Sequence, residues 1–419
     1  MRLRIESLVH GGLGLARRDG VVFVPFVIPG ELVEAEIAAR KRGTAFARLC
    51  RVVEPSPDRV EPPCPVFGVC GGCHWQHIRY PAQPGFKTDI LKESLRRLAK
   101  IHVESIPVLT GEPWGYRRRA NVKIAEDGHV GFFGRESHTV VETPRCLLLA
   151  EPLNVITAAL KEHRNLLRGI TEIEAASDDG GAALCLHGEG VTPERAAALR
   201  EALPGVRGGI SAKGDVWDGE AAVIFDVLGM RLRITAGNFF QANTALNRTL
   251  VEAALEMLGP LDGKTVLDAY AGAGNFTLPL ARSAAHVTAV EENRRAAGDA
   301  RENLAAHGLS NARVFSGALE EARPAVPPDA ALVDPPRTGL SRTAVEKLLE
   351  LAPKRLLYVS CDPATLARDL VPLMRAYHLT QVRLADMFPQ TYHLEALALL
   401  EAKTGTVPVE RGRNPARSL

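Results

Sequence analysis

The sequence predicts an α/β chain in three parts: a small N-terminal β-barrel, a mixed α+β middle, and a C-terminal parallel sheet wound with helices. Three observations predict it. The first fifty-odd residues alternate short β-branched runs with Pro and Gly punctuation. The middle opens on three closely spaced cysteines, then mixes strand-like runs with Ala- and Arg-rich helix. From Gly237 onward, short apolar runs alternate with helical stretches, the pattern of a doubly wound sheet.

In residues 1–57, Val21 to Val24 is a β-branched and aromatic run ending at Pro25, and Pro29-Gly30 marks a turn. Leu32 to Ile37 alternates, with Val33, Ala35 and Ile37 on one face and Glu34 and Glu36 on the other. Ala45 to Val53 reads as a further strand, and Pro55-Ser56-Pro57 as a linker. Strands this short and evenly spaced fit an OB-type barrel, a fold that binds oligonucleotides but also serves purely structural ends.

Residues 58–234 carry Cys64, Cys70 and Cys73, with Cys146 far downstream. In a long chain whose N-terminus lacks the apolar core of a signal peptide, such clustering points to a metal site rather than disulfides. Four thiolates suit zinc or an iron–sulfur cluster equally on spacing. A helix is expected over Lys87 to Leu98, strands over Asn121 to Ala125 and Ala221 to Val227, and a helix over Pro193 to Leu203. Between Lys87 and Arg119 there are eight Lys/Arg and four Asp/Glu, densest at Arg117-Arg118-Arg119. A solvated face is the plain reading of such a run, and a phosphate-binding patch the functional one.

The whole chain of 419 residues has a net charge of +2, 46% hydrophobic and 24% charged residues, ordinary values for a globular protein. No apolar run approaches bilayer length. The expectation is a cytoplasmic protein with no membrane partner.

In residues 235–419, strand candidates are Val266-Leu267, Val287 to Val290, Ala331 to Val333, Leu356 to Val359 and Leu397 to Leu400. The first runs into Tyr270-Ala271-Gly272-Ala273-Gly274-Asn275, a glycine loop that lets backbone approach a ligand. Glu291 ends the next strand, where a carboxylate accepts from both hydroxyls of a ribose. Thr277 stands where a dinucleotide loop has its third glycine. The third strand ends in Asp334-Pro335-Pro336-Arg337, a stiff rim for a substrate base. Adenine amino-methyltransferases carry an aromatic residue where Arg337 stands. The fourth ends at Cys361, at a carboxyl edge where open sheets build their sites. A thiolate there is the nucleophile that pyrimidine chemistry needs, since carbon-5 becomes reactive only after addition at carbon-6. A buried structural thiol is the alternative. His393 and Glu395, two apart at a strand start, are expected on one side, either able to take a proton. Residues Gly405 to Leu419 read as a loose tail.

These strings carry a resemblance. YVSCDPATLARDL (Tyr358 to Leu370), DPPRTGL, DMFPQTYHLE and GNFFQAN (Gly237 to Asn243) closely resemble the RNA (uracil-5-)-methyltransferase family, over almost the whole chain. The resemblance implies a Rossmann-like class I methyltransferase domain at the C-terminus. It places the nucleophile on Cys361 and the proton-abstracting base on Glu395. It places S-adenosylmethionine contacts on Gln241, Tyr270, Asn275, Glu291 and Asp334. CPVFGVCGGCHWQH resembles the [4Fe–4S] segment of the ribosomal RNA members, with Cys146 as fourth ligand, which turns the choice from zinc to iron–sulfur. HGGLGLAR (His10 to Arg17) and VPFVIPGE resemble a TRAM domain. In WGYRRRA, Arg118 replaces an Asn found in some relatives. Barrel plus cluster imply the 23S rRNA branch, working as a monomer. The same chemistry on tRNA, a non-catalytic RNA-binding or assembly factor, and an iron–sulfur redox enzyme are the rivals.

Overall fold

The computed structural model describes residues 1–214 and 216–403; the tail expected over Gly405 to Leu419 lies outside them. Arg2–Arg4, Ser7–Leu8, Gly14–Arg17, Val21–Val24, Leu32–Lys41 and Thr44–Glu54 make one six-stranded sheet. It closes on its own core of Leu3, Ile5, Val22, Val24, Val33, Ala35 and Ala47. The alternation holds: Val33 and Ala35 are buried, while Glu34 faces out to Arg2 and Arg51. Pro55 to Pro57 is no free linker. Ser56 N–H and the Arg59 guanidinium both donate to the fully buried Glu31 carboxylate, tying the segment to the sheet.

A second sheet of seven strands spans Arg119–Ile124 to Val216–Gly219, with Glu151–Glu162 and Pro193–Ala202 as its helices. The Arg117 to Arg119 run is largely neutralised here: Arg118 pairs with Asp179 and Arg119 with Glu174. Ala222–Val227 and Met230–Thr235 form a hairpin.

The third sheet has eight strands, and five of them run parallel in the order Ala312–Ser316, His286–Glu291, Thr265–Ala269, Ala330–Val333, Arg355–Ser360. Thr244–Leu258, Thr277–Ser283 and Arg294–Ala306 cover one face; Arg342–Leu351 and Pro363–Leu373 cover the other. The expectation of a parallel sheet fails at its far side. Glu395–Ala402 inserts antiparallel between Arg355–Ser360 and Tyr377–Ala385. The reason is loop length. Only residues 386–394 join the last two strands, and a parallel crossover needs about a dozen residues or more.

The expected helix over Lys87 to Leu98 begins earlier, as Gln83–Ser94, continues as a π-turn, Leu95–Ala99, and stops where Lys100 turns left-handed. It packs on the third sheet: Ile90, Leu91 and Leu95 share a core with Leu366, Leu370 and Tyr358. Val108–Leu109 adds the edge strand beside Tyr377–Ala385. No helix of the described residues is long and apolar enough to cross a membrane.

Candidate active site and cysteine cavity

The carboxyl ends of the parallel strands carry the candidate site. Cys361 directly follows Arg355–Ser360, and Glu395 opens its antiparallel neighbour. The register places Ser360 opposite Ala396, so the next pair outward is Cys361 and Glu395. Strand reversal is what brings a residue at a strand start to the same edge as one at a strand end. His393 does not share this placement. It lies in the loop before the strand, where burial and the Arg337 cation push its basicity down to about 2. Of the two base candidates, only Glu395 sits where a carboxylate can gain a proton readily. Burial, then the neighbouring Asp334, raise its carboxyl well above the ordinary value, with Arg337 opposing. Its Oε1 has no hydrogen-bond partner among the described residues. Burial, Glu395 and Asp334 push the Cys361 thiol up to about 12.

The loop after Thr265–Ala269 makes the adjoining cleft. Tyr270 adopts φ +65° and Gly274 φ +100°. A Cβ at Gly274 would stand 2.7 Å from the Leu278 side chain, so the turn needs glycine twice over. Gln241, Tyr270, Asn275 and Asp334 line one cleft of about 570 Å³ with Phe225, Phe239, Phe240 and Asn247. Glu291 stands at its side. Its carboxylate accepts from Gly272 N–H at 2.8 Å and Asn293 N–H at 2.7 Å, which locks it against the loop. The structure thus brings four of the five expected cofactor residues into one cleft and bonds the fifth to its wall. The buried Gln241 Oε1 has no hydrogen-bond partner among the described residues.

Two contributors escaped the sequence reading. Asp268 is fully buried beneath the cleft; burial raises its carboxyl to about 7, against the pull of a 2.5 Å bond from Thr277 Oγ. That bond explains the hydroxyl where a dinucleotide loop has glycine. Asn247 holds Asn275 through reciprocal amide bonds of 2.8 and 3.0 Å. Asp268 was visible as the acid ending Val266-Leu267-Asp268; Asn247 has no local signal.

Cys64, Cys70, Cys73 and Cys146 line a single cavity of about 770 Å³ with Phe67, Phe132 and Leu147 to Leu149. Burial, then the neighbouring thiols, raise Cys73 to about 12. Among the described residues, no three of these sulfurs lie within 4.8 Å of one another. Four thiols lining one cavity are the donor set of a thiolate-bound zinc or of an iron–sulfur cluster. Cys50 is exposed and Cys185 buried, both away from this cavity. Cys185 does meet Glu174 and His187 closely enough for a metal, but Arg119 already holds Glu174 and the Arg295 cation faces the thiol.

The cysteine segment also holds the base-bearing loop. His74 and Trp75 N–H both donate to Gln390 O at 3.0 Å, and Gln83 and Gln390 exchange two bonds of 2.9 Å. Lys87 Nζ donates to Asp386 at 2.5 Å and to Phe388 O at 3.0 Å, with both charged side chains fully buried. Tyr116 OH donates to Pro389 O.

A glycine-loop cleft beside a thiol and a carboxyl at the switch edge of an α/β sheet defines a methyltransferase of the Rossmann-like class. Comparison with known proteins narrows the class. Residues 225–403 match the tRNA (Uracil-5-)-methyltransferase family. An RNA methyltransferase of Halalkalibacterium halodurans is 34% identical, over 96% of this chain and 97% of the relative. The 23S rRNA (uracil(1939)-C(5))-methyltransferase of Alkalilimnicola ehrlichii is 36% identical, over 95% and 96%. The Pyrococcus abyssi tRNA (uracil-54, C5)-methyltransferase, solved with S-adenosyl-L-homocysteine, shares the fold with a TM-score of 0.75 at 24% identity. That match covers 96% of this chain and 100% of the other. The chain belongs to the RNA (uracil-5-)-methyltransferase family.

Proposed function

We propose that this enzyme transfers a methyl group from S-adenosylmethionine to carbon-5 of a uridine in 23S rRNA. The observation that carries the reading is the Cys361–Glu395 pair on adjacent strands, next to the cleft lined by Gln241, Tyr270, Asn275 and Asp334. S-adenosylmethionine supplies an electrophilic methyl group on a positively charged sulfur. The residues present suit it: Glu291 for ribose hydroxyls, Asp334 and the unpartnered Gln241 Oε1 for polar groups, Phe225 and Phe240 for apolar surface.

Cys361 adds as thiolate to carbon-6 of the flipped uridine, and the resulting enolate makes carbon-5 nucleophilic. Once carbon-5 carries the methyl group, Glu395 takes its proton, and the electron pair expels the Cys361 sulfur. Asp334, which raises Glu395, lines the cofactor cleft. A cation held there lowers both carboxyls and leaves Glu395 ionised for this work.

Residues 1–57 are proposed as a TRAM-like RNA-binding barrel, 58–234 as the cluster and RNA-contact domain, and 235–419 as the catalytic domain. Cys64, Cys70, Cys73 and Cys146 would hold a [4Fe–4S] cluster, supported by the single cavity that all four line. The relatives named for 23S rRNA and matched over nearly their whole length favour that substrate over tRNA, with the enzyme a cytoplasmic monomer. The test is labelled methyl transfer to unmodified 23S rRNA and tRNA by wild type and Cys361→Ala. Label in 5-methyluridine of 23S rRNA, lost in the variant, is expected. Label only in tRNA would move the enzyme to the other branch, and activity in the variant would sink the covalent route. Iron and acid-labile sulfide measured after anaerobic purification, and lost in Cys73→Ser, test the cluster.

A further inference from the structure

Three parts of the chain meet beside the nucleophile. From the barrel comes His10, whose Nε2 lies 3.3 Å from Asp362 Oδ2, one residue past Cys361. From the cysteine segment comes His74. From the base-bearing loop come Tyr392 and His393. Their rings form a continuous cluster: His10–Tyr392 5.2 Å, His74–Tyr392 4.6 Å and Tyr392–His393 4.2 Å between centroids. All four side chains are partly exposed. Gly12 backs the cluster so tightly that a Cβ there would stand 3.1 Å from the Tyr392 ring. The Trp75 indole donates to Gly12 O and fixes the barrel turn in place.

The mechanism uses none of these rings, and apart from His10 Nε2 on Asp362 their polar atoms are unspent. The Tyr392 hydroxyl and the His393 ring have no hydrogen-bond partner among the described residues. Nor do the enclosed Nδ1 atoms of His10 and His74. A continuous seam of flat rings, whose enclosed Nδ1 atoms on His10 and His74 are unbonded among the described residues, suits the face and edge of a flat heteroaromatic ring.

We propose that His10, His74, Tyr392 and His393 form a second nucleobase site, which takes the base next to the target uridine in an unstacked RNA strand. The inference rests on the reading of the enzyme as a uridine methyltransferase. The target base must lie between Cys361 and Glu395, so a neighbouring nucleotide leaves the pocket along Asp362, where the rings stand. The barrel is then part of the pocket wall, not only an outlying RNA grip.

The test uses hairpin RNAs carrying an abasic nucleotide at each position flanking the uridine, with the dissociation constant and methyl transfer measured for wild type, Tyr392→Ala and His10→Ala. In wild type, one flanking abasic site is expected to weaken binding about five- to 150-fold, the equivalent of stacking worth roughly 1–3 kcal/mol. Tyr392→Ala is expected to lose a similar factor on intact RNA and nothing further on the abasic RNA. His10→Ala is expected to follow the same non-additive pattern with a smaller loss. Covalent adducts with 5-fluorouridine RNA check that Cys361 still reacts in each variant. Equal binding of intact and abasic RNAs by wild type, or additive losses in both variants, would overturn the second site while leaving methylation intact. Absence of methyl transfer by wild type to any RNA would instead overturn the functional reading beneath it.

Discussion

Replacing Lys87 by Met removes the one cation that faces Asp386. Both side chains are fully buried, and among the described residues the other group facing the carboxylate is the uncharged Tyr80 hydroxyl, which does not replace the charge. Removing one member of a buried pair leaves an uncompensated charge in the interior and costs about 3–5 kcal/mol. Urea unfolding of wild type and Lys87→Met measures it, and the variant should lose stability in that range. Lys87→Met with Asp386→Leu should recover most of it, since apolar replacement of both partners removes the unpaired charge. A loss below about 1 kcal/mol, or a double variant no more stable than Lys87→Met, would refute the argument. Because the Asp386 loop leads into Glu395, methyl transfer by Lys87→Met should also fall, about a hundredfold for a displacement near 1 Å.

Three further outcomes are expected. Glu395→Gln should lower turnover about 10²- to 10⁴-fold and accumulate a denaturant-resistant enzyme–RNA adduct, visible as a shifted band; free release of product would rule out its role as base. Alkylation of Cys361 in the ligand-free protein should climb about tenfold per pH unit between pH 7 and 10, since the thiol is held up at about 12. A plateau by pH 8.5 would contradict this. Asp334 is raised by burial, then by Asp268, to about 7, so it destabilises the fold progressively from about pH 4 to 7 and fully above. Asp334→Asn should therefore raise the melting temperature at pH 8 and leave it nearly unchanged at pH 4, and calorimetry at the two pH values decides.

Much of this architecture was legible in the sequence because the signals are local. Apolar runs bounded by an acid, a glycine loop or a cysteine marked the parallel strands, and the glutamate alternation marked Leu32–Lys41. Strand direction was not legible, since periodicity is the same for either; the short connection over residues 386–394 held that information. The early start of the Gln83–Ser94 helix was missed because two of its inward positions are Gln83 and Lys87, polar residues whose partners lie some 300 positions away. Asn247 was hidden for a related reason: its partner Asn275 lies 28 positions on, across a helix and a strand. The Arg117 to Arg119 run misled in the opposite sense, since its counter-charges come from a neighbouring strand and turn.

The antiparallel insertion has a consequence for how the molecule comes into being. Among the described residues Glu395–Ala402 is the last strand in chain order, yet it occupies an interior slot, hydrogen-bonded on both sides to strands made before it. Until it arrives, Arg355–Ser360 and Tyr377–Ala385 each present an open edge, and Cys361 faces no carboxyl across the ladder. A nascent chain can therefore complete its early barrel well before Cys361 and Glu395 meet. The order of translation separates the two in time, and the late zipper closes the sheet and forms that pair in a single event.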